Sequence, residues 1–137
     1  MKLSARNQFE GTVIKVNEGA VNGIVTLQSG EETLTGTISM AAIRDLGLKE
    51  GVKATAIIKA TEVMIGLGEL RLSARNQLRG TVAHIDRGPV NAIVSLAVSG
   101  GRKVTATISV NAVEELGLKE GVEAVAVIKA TSVMFGV

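Results

Sequence analysis

The chain has no cysteine, no tryptophan and no tyrosine, and only one proline and two phenylalanines among its 137 residues. Without cysteine it can form no disulfide, no thiolate metal site and no cysteine nucleophile. A protein that binds single-stranded nucleic acid by base stacking needs aromatic side chains and a basic groove. Two aromatic rings and a formal net charge of +2 provide neither, so we expect no nucleic-acid partner.

Long apolar runs are also missing. The longest are strand-sized, well short of the roughly 20 residues that a membrane helix needs. The first residues, Met1 to Arg6, turn polar at once and contain no apolar signal-peptide core. The sequence therefore predicts a cytoplasmic protein with no membrane partner.

The apolar residues that are present make up 46% of the chain and are mainly valine, isoleucine, leucine and alanine. The β-branched members of this set favour strands. This composition predicts a mainly β protein with an aliphatic core.

The sequence contains a tandem repeat. Residues 3–8 read LSARNQ and residues 72–77 read LSARNQ again, and LGLKEGV at 46–52 recurs at 116–122. More than half of the aligned positions are identical, with one residue added in the second copy near Gly100-Gly101. Two copies are too few for a solenoid, so we interpret the chain as two tandem domains, 1–68 and 69–137. Almost no linker separates them, and the modules are expected either to pack together or to exchange strands.

Each copy predicts five short strands and one helix. The helix signal is a capping serine, two turns and a glycine: Ser39 before Met40–Leu46 and Gly47, and Ser109 before Val110–Leu116 and Gly117. The predicted strands are Phe9–Val16, Val21–Gln28, Thr33–Ile38, Val52–Ala60 and Glu62–Leu67, then Leu78–Ile85, Val90–Val98, Lys103–Ile108, Val122–Ala130 and Ser132–Val137. Gly11 and Gly80 within the first strands suggest a bulge or a tight barrel bend. This order predicts two tandem OB-like five-stranded β-barrels, each with one short helix. Modules this small bury limited apolar area, so oligomerisation is expected to add stability.

The repeated Ser-Ala-Arg-Asn-Gln segment is the main candidate for chemistry. It combines a hydroxyl, a guanidinium and two amides, nearly all of them donors, whereas a tetrahedral oxyanion offers only acceptors. Polar residues leading into a strand would explain a single copy equally well, but the segment is retained in two copies that differ elsewhere. It therefore favours an oxyanion site.

Two further features could add to such a site. Ser39 and Ser109 stand at helix starts, which attract anions, although capping alone explains them. Lys59 and Lys129 end apolar strands, where a lysine is often only a solvated edge residue; beside the arginines they could supply the second positive charge for a dianion.

The single histidine, His84, has no repeated partner and is expected at the surface. No catalytic triad, carboxylate pair, metal-ligand cluster or phosphate loop is visible, so no enzyme, cofactor or directly ligated metal is expected.

Taken together, the Ser-Ala-Arg-Asn-Gln start, the Gly-Ala-Val-Asn turn, the Leu-Gly-Leu-Lys-Glu-Gly turn and the Lys-Ala-Thr-x-Val-Met ending resemble the molbindins, the molybdate- and tungstate-binding Mop domains. The resemblance covers essentially the whole chain and implies a tandem di-Mop protein that stores or buffers molybdate or tungstate. It also implies a homotrimer with anions held between polypeptides. The interface sites that it implies are Ser4, Ala5, Arg6, Lys59 and Ala60 facing Ser39 and Ala42 of a neighbouring surface, and Ser73, Ala74, Arg75, Lys129 and Ala130 facing Ser109 and Ala112.

The resemblance implies a second kind of site on the trimer axis. It would involve Gly19, Val21 and Asn22 in the first copy and Gly88, Val90 and Asn91 in the second. Pro89 replaces Ala20 and removes one backbone donor, so the two axial sites need not be equal.

One alternative function remains open. The chain could be the ligand-sensing module of a molybdate-responsive system that acts on a partner. Such regulators carry a DNA-binding helix-turn-helix, for which two modules in 137 residues leave no room.

Overall fold

The computed structural model describes all 137 residues. Ten strands, two short helices and three single-turn 3₁₀ segments follow one another in two similar series. The first series is β1 Asn7–Asn17, β2 Asn22–Ser29, β3 Glu32–Ser39, α1 Met40–Leu46, β4 Lys53–Ile58, a 3₁₀ turn at Ala60–Glu62 and β5 Met64–Gly66. The second is β6 Asn76–Arg87, β7 Asn91–Ala97, a 3₁₀ turn at Ser99–Gly101, β8 Lys103–Ser109, α2 Val110–Glu115, β9 Glu123–Ile128, a 3₁₀ turn at Ala130–Ser132 and β10 Met134–Gly136. The predicted mainly β class, with one helix between the third and fourth strand of each copy, is confirmed.

The two halves exchange their last strands. One five-stranded sheet has the order β10-β4-β1-β2-β3, and the other has the order β5-β9-β6-β7-β8. Each barrel therefore takes four strands from its own repeat and the fifth from the other repeat. Of the two arrangements that the short junction allows, the structure has strand exchange.

Packing inside the barrels matches this exchange. In the first barrel Phe135 of β10 lies over Gly36, where an added Cβ would stand 2.5 Å from the ring. The equivalent positions in the second barrel are Ile65 of β5 and Ala106 of β8. Phe135 would meet an extra methyl group at Ala106 if it stayed with its own repeat, because Ala106 stands where the first repeat has Gly36. The exchange is favoured by close packing, which tolerates little overfilling.

Local structure follows the predicted signals at the helices. Ser39 and Ser109 cap the helix starts, and Gly47 ends α1 in the left-handed conformation at φ 64°. Helix α2 is one residue shorter than predicted, because Leu116 is its C-cap.

The predicted bounds of the fourth and fifth strands were wrong. The fourth strands end at Ile58 and Ile128, since the chain turns into 3₁₀ segments at Ala60 and Ala130, and the fifth strands are correspondingly short. Gly11 suggested a bulge or a tight bend; the bulge lies further along β1, between Val13 and Lys15. Gly11 instead allows close approach to β2, because a Cβ there would stand 2.1 Å from the Gln28 carbonyl oxygen.

Neither helix is long and apolar enough to cross a membrane.

Candidate functional site

A glutamine at the start of β1 holds the preceding segment in place. The Gln8 side chain donates hydrogen bonds to the carbonyl oxygens of Leu3, at 3.0 Å, and Ala5, at 2.9 Å. Gln77 does the same in the second repeat, with Leu72 and Ala74 as its acceptors. Gln8 pairs with Ile57 of β4, so the segment that carries Arg6 is held over the end of β4. Lys59 and the 3₁₀ turn at Ala60–Glu62 come directly after this end of β4.

This arrangement forms a cavity in each repeat. The first, here called the Arg6 cavity, has a volume of about 310 Å³ and is lined by Leu3, Ser4, Ala5, Arg6, Lys59, Ala60, Thr61 and Met134. The second, the Arg75 cavity, has a volume of about 440 Å³ and is lined by Met64, Leu72, Ser73, Ala74, Arg75, Val127, Lys129, Ala130 and Thr131. The serine, arginine, lysine and alanines that the sequence singled out therefore lie together, once in each repeat.

The cations of both cavities have no acidic partner. The ion pairs of the structure join His84 to Asp86 and Glu120, and Arg87 to Glu114. None of them involves Arg6, Lys59, Arg75 or Lys129. Two positive side chains at one cavity without a carboxylate provide the charge that a dianion requires.

Backbone and hydroxyl donors complete the set. A 3₁₀ turn leaves its first amides without a partner inside the turn. In the Arg6 cavity these are the amides of Ala60 and Thr61, because those of Glu62 and Val63 bond back to Lys59 and Ala60. Ser4 and Thr61 add exposed hydroxyls. The cavity can thus direct several N–H and O–H groups and two cations at one acceptor-rich ligand.

The asparagines of the repeated motif have a different role from the one that donor chemistry suggested. Asn7 is 1% exposed, and its Nδ2 donates to the carbonyl oxygens of Ile58, at 3.2 Å, and Thr105, at 2.8 Å. Its Oδ1 accepts from the Thr105 amide at 2.7 Å. Asn76 makes the same three bonds to Ile128 and Thr35. These side chains join one barrel to the other, so within the motif only the serine and arginine side chains remain for a ligand.

The helix starts lie elsewhere. Ser39 lines neither cavity, and its Oγ accepts a hydrogen bond from the Ala42 amide at 3.0 Å. Ser109 and Ala112 form the same pair in the second repeat. The Ala42 and Ala112 amides are thus already engaged in capping. Each serine keeps a hydroxyl proton to donate.

The predicted axial residues share that end of the barrel. Asn22 pairs with Ser39 across β2 and β3, and the Met40 amide donates to the Val21 carbonyl at 2.8 Å. Asn91, Ser109 and Val90 repeat this arrangement. The predicted residues therefore form two separate groups in each repeat. Strand β1 runs between these groups, and its eleven residues span up to about 35 Å when extended.

Thr61, Met134 and their equivalents Thr131 and Met64 line the cavities although no role was predicted for them. The threonines and methionines belong to the Lys-Ala-Thr-x-Val-Met ending that both copies share, and that repetition was the available signal. His84 is at the surface as predicted, with its side chain 61% exposed.

Comparisons with known proteins follow the same two-fold pattern. The TOBE domain model matches residues 3–65 and again residues 72–135. The molybdenum transport protein ModE of Herbaspirillum seropedicae is 39% identical over 140 residues, which is 100% of this chain and 52% of that protein. The probable molybdenum-pterin-binding protein of Haemophilus influenzae is 54% identical over 68 residues, or 50% of this chain and 99% of that protein. The chain spans about half the length of the ModE relatives that it matches.

A crystal structure of the cytoplasmic molybdate-binding protein ModG with molybdate bound has the same fold. Its TM-score is 0.97 at 46% sequence identity, and the match covers 100% of this chain and 99% of that one. Together with the family model, this likeness extends over both repeats. The chain belongs to the TOBE domain family and carries two copies of that domain.

Proposed function

We propose that the chain binds molybdate or tungstate, as tetrahedral dianions, in the Arg6 and Arg75 cavities, and that it stores or buffers them in the cytoplasm. The observation that carries this proposal is the pair of cations in each cavity with no carboxylate partner. Fixed N–H and O–H donors around two balanced charges suit a tetrahedral oxyanion. Binding of this kind needs no covalent step and no metal ligand from the protein.

The names of the relatives support the choice of anion. ModG is described as a cytoplasmic molybdate-binding protein, and MopA of Rhodobacter capsulatus, 39% identical over 98% of this chain, as a molybdenum-pterin-binding protein. Sulfate has the same charge and shape as molybdate but is smaller, so selectivity between them would depend on the width of the cavity.

We further propose that the binding unit is an oligomer, with a trimer as the family resemblance implies. Large apolar side chains are exposed in matching pairs, one in each repeat: Leu3 and Leu72, and Val21 and Val90. Surfaces of this kind favour association with another copy. A neighbouring copy could also bring Ser39 or Ser109 to a cavity that its own chain leaves without that serine, since the two groups lie at opposite ends of β1.

A second role is favoured by one specific observation, the match to half of each ModE protein. The same pair of repeats could act as the ligand-sensing part of a molybdate-responsive system. It would use the same cavities, and the binding test below applies to both roles.

The direct test is isothermal titration of the purified chain with molybdate, tungstate, sulfate and phosphate. We expect molybdate and tungstate to bind with measurable heat. Sulfate and phosphate should bind more weakly. A ligand that binds only the folded assembly stabilises it by about 2.7 kcal/mol at 100 times its Kd, so the melting temperature should rise with molybdate. Sedimentation of the same samples should give the mass of a trimer. No heat and no thermal shift with molybdate would refute the proposal.

A further inference from the structure

Each cavity has one wall from the other repeat. Met134 of β10 pairs with Ile57 of β4, and Gln8 of β1 pairs with the same Ile57 from the opposite side. Directly paired residues lie on one face of a sheet, so these three form a row across β1, β4 and β10. Gln8 holds the Leu3–Arg6 segment over this face, and Met134 lies at the far end of the row, where it lines the Arg6 cavity.

The second barrel repeats the row with the opposite exchange. Gln77 and Met64 both pair with Val127 of β9, and Met64 lines the Arg75 cavity. The methionine of the first repeat therefore faces the arginine of the second, and the methionine of the second repeat faces the arginine of the first.

These methionines are not required by the core. Met134 is 46% exposed and Met64 is 48% exposed, whereas Phe135 beside Met134 fills the barrel. Neighbouring positions have changed between the repeats, with Glu62 against Ser132 and Ile65 against Phe135, but both copies keep methionine. An outward strand position that stays apolar beside a cavity with two cations is best explained by what it faces.

A thioether gives the cavity a wall with a distinct chemistry. It donates no hydrogen bond and accepts only weakly, but it is polarisable and can pack closely against a ligand. An anion that contacts this wall gives up water there and receives no hydrogen bond in return. The loss is greater for a small anion, whose charge is more concentrated and whose hydration is stronger, than for a large one.

We propose that Met134 and Met64 are specificity-determining residues that make the cavities prefer a large, weakly hydrated tetrahedral oxyanion to a small, strongly hydrated one. Each acts on the cavity of the other repeat. This inference rests on the proposed function and adds to it the side chains that separate molybdate from sulfate. It also makes the selectivity of each cavity depend on the exchanged strand.

The test uses chains with one working cavity. Arg75→Ala leaves the Arg6 cavity, and Arg6→Ala leaves the Arg75 cavity. Met134→Gln, which keeps the side-chain length and adds donors, is placed in each background, and the affinities for molybdate and sulfate are measured by titration. We expect the molybdate-to-sulfate affinity ratio to fall about 10-fold in the Arg75→Ala background, the lower end of what one pocket group contributes to discrimination. The ratio should not change in the Arg6→Ala background.

Met64→Gln should give the reverse pattern, and the conservative variants Met134→Leu and Met64→Leu should keep the ratio. If a single-cavity chain fails to fold or to bind molybdate, the measurement is made on a chain that keeps both arginines and carries both Met134→Gln and Met64→Gln. The molybdate-to-sulfate affinity ratio of that chain should fall by the same factor. The inference is overturned if the glutamine variants leave the ratio unchanged, if leucine lowers it as much as glutamine does, or if Met134→Gln acts on the Arg75 cavity. These failures occur in a chain that binds molybdate, whereas failure of the proposed function means that the unmodified chain does not bind it.

Discussion

Replacing Arg6 and Arg75 with alanine in one chain is expected to lower the affinity of both cavities for molybdate by about 10- to 150-fold, because a hydrogen bond to a charged group contributes about 1.5–3 kcal/mol. Each substitution removes one of two cations that a dianion must meet. Neither arginine has a carboxylate partner, so its removal leaves no charge unpaired. Both side chains are exposed, and the free energy of unfolding should therefore change by no more than about 0.5 kcal/mol.

Isothermal titration with molybdate measures the effect, and thermal unfolding without ligand confirms the fold. Arg79→Ala is the matched control: it also removes one exposed arginine, but Arg79 lines neither cavity and bonds the Gly68 carbonyl at 3.1 Å. It should bind molybdate as the unmodified chain does. A double variant that keeps full molybdate stoichiometry and affinity would show that the anion binds elsewhere.

The second large effect is on stability. Replacing Asn7 and Asn76 with alanine is expected to lower the free energy of unfolding by about 2–6 kcal/mol in total, about 1–3 kcal/mol for each asparagine, because its backbone partners lose their hydrogen bonds. Asn7→Ala leaves the amide and carbonyl of Thr105 without their partner, and Asn76→Ala does the same to Thr35. Small domains are stable by only about 5–15 kcal/mol, so the double variant should lose a substantial part of its stability.

Equilibrium unfolding in urea measures this change. Asn17→Ala is a suitable control, since Asn17 is an exposed asparagine at the other end of β1, and it should stay within about 0.5 kcal/mol of the unmodified chain. If the Asn7 and Asn76 variants change the free energy of unfolding as little as Asn17→Ala does, the cross-barrel hydrogen bonds of these asparagines do not hold the two barrels together.

These asparagines also show where sequence reasoning was limited. The motif presents its two amides as donors for a ligand together with the serine and the arginine, because residue type and repetition cannot distinguish a buried amide from an exposed one. Features that depend on neighbouring residues could be predicted: the capping serines, Gly47 at the end of α1, and the succession of strands and helix along each repeat. The partner of Asn7 is 98 residues away, and no local pattern identifies it.

The strand exchange has a similar cause. Strands β5 and β10 come from almost the same sequence, so either could complete either barrel. The fit of Phe135 over Gly36, seen in three dimensions, favours the arrangement found. The Ser4, Arg6 and Lys59 group could be predicted because the motif and the end of β4 meet within one repeat. The repeated ending marked the methionine as well, but the cavity that it lines could not be predicted, since it comes from the other repeat.

In the proposed function the oxyanion binds between the arginine and the lysine of each cavity. Anomalous diffraction from crystals grown with tungstate tests this most directly, because tungsten can be located without reference to the protein atoms. We predict one tungsten peak in the Arg6 cavity and one in the Arg75 cavity, each within hydrogen-bonding reach of the arginine and of Lys59 or Lys129. Tungsten ordered only elsewhere, such as at the Gly19–Asn22 turn, with no peak in either cavity, would contradict the account.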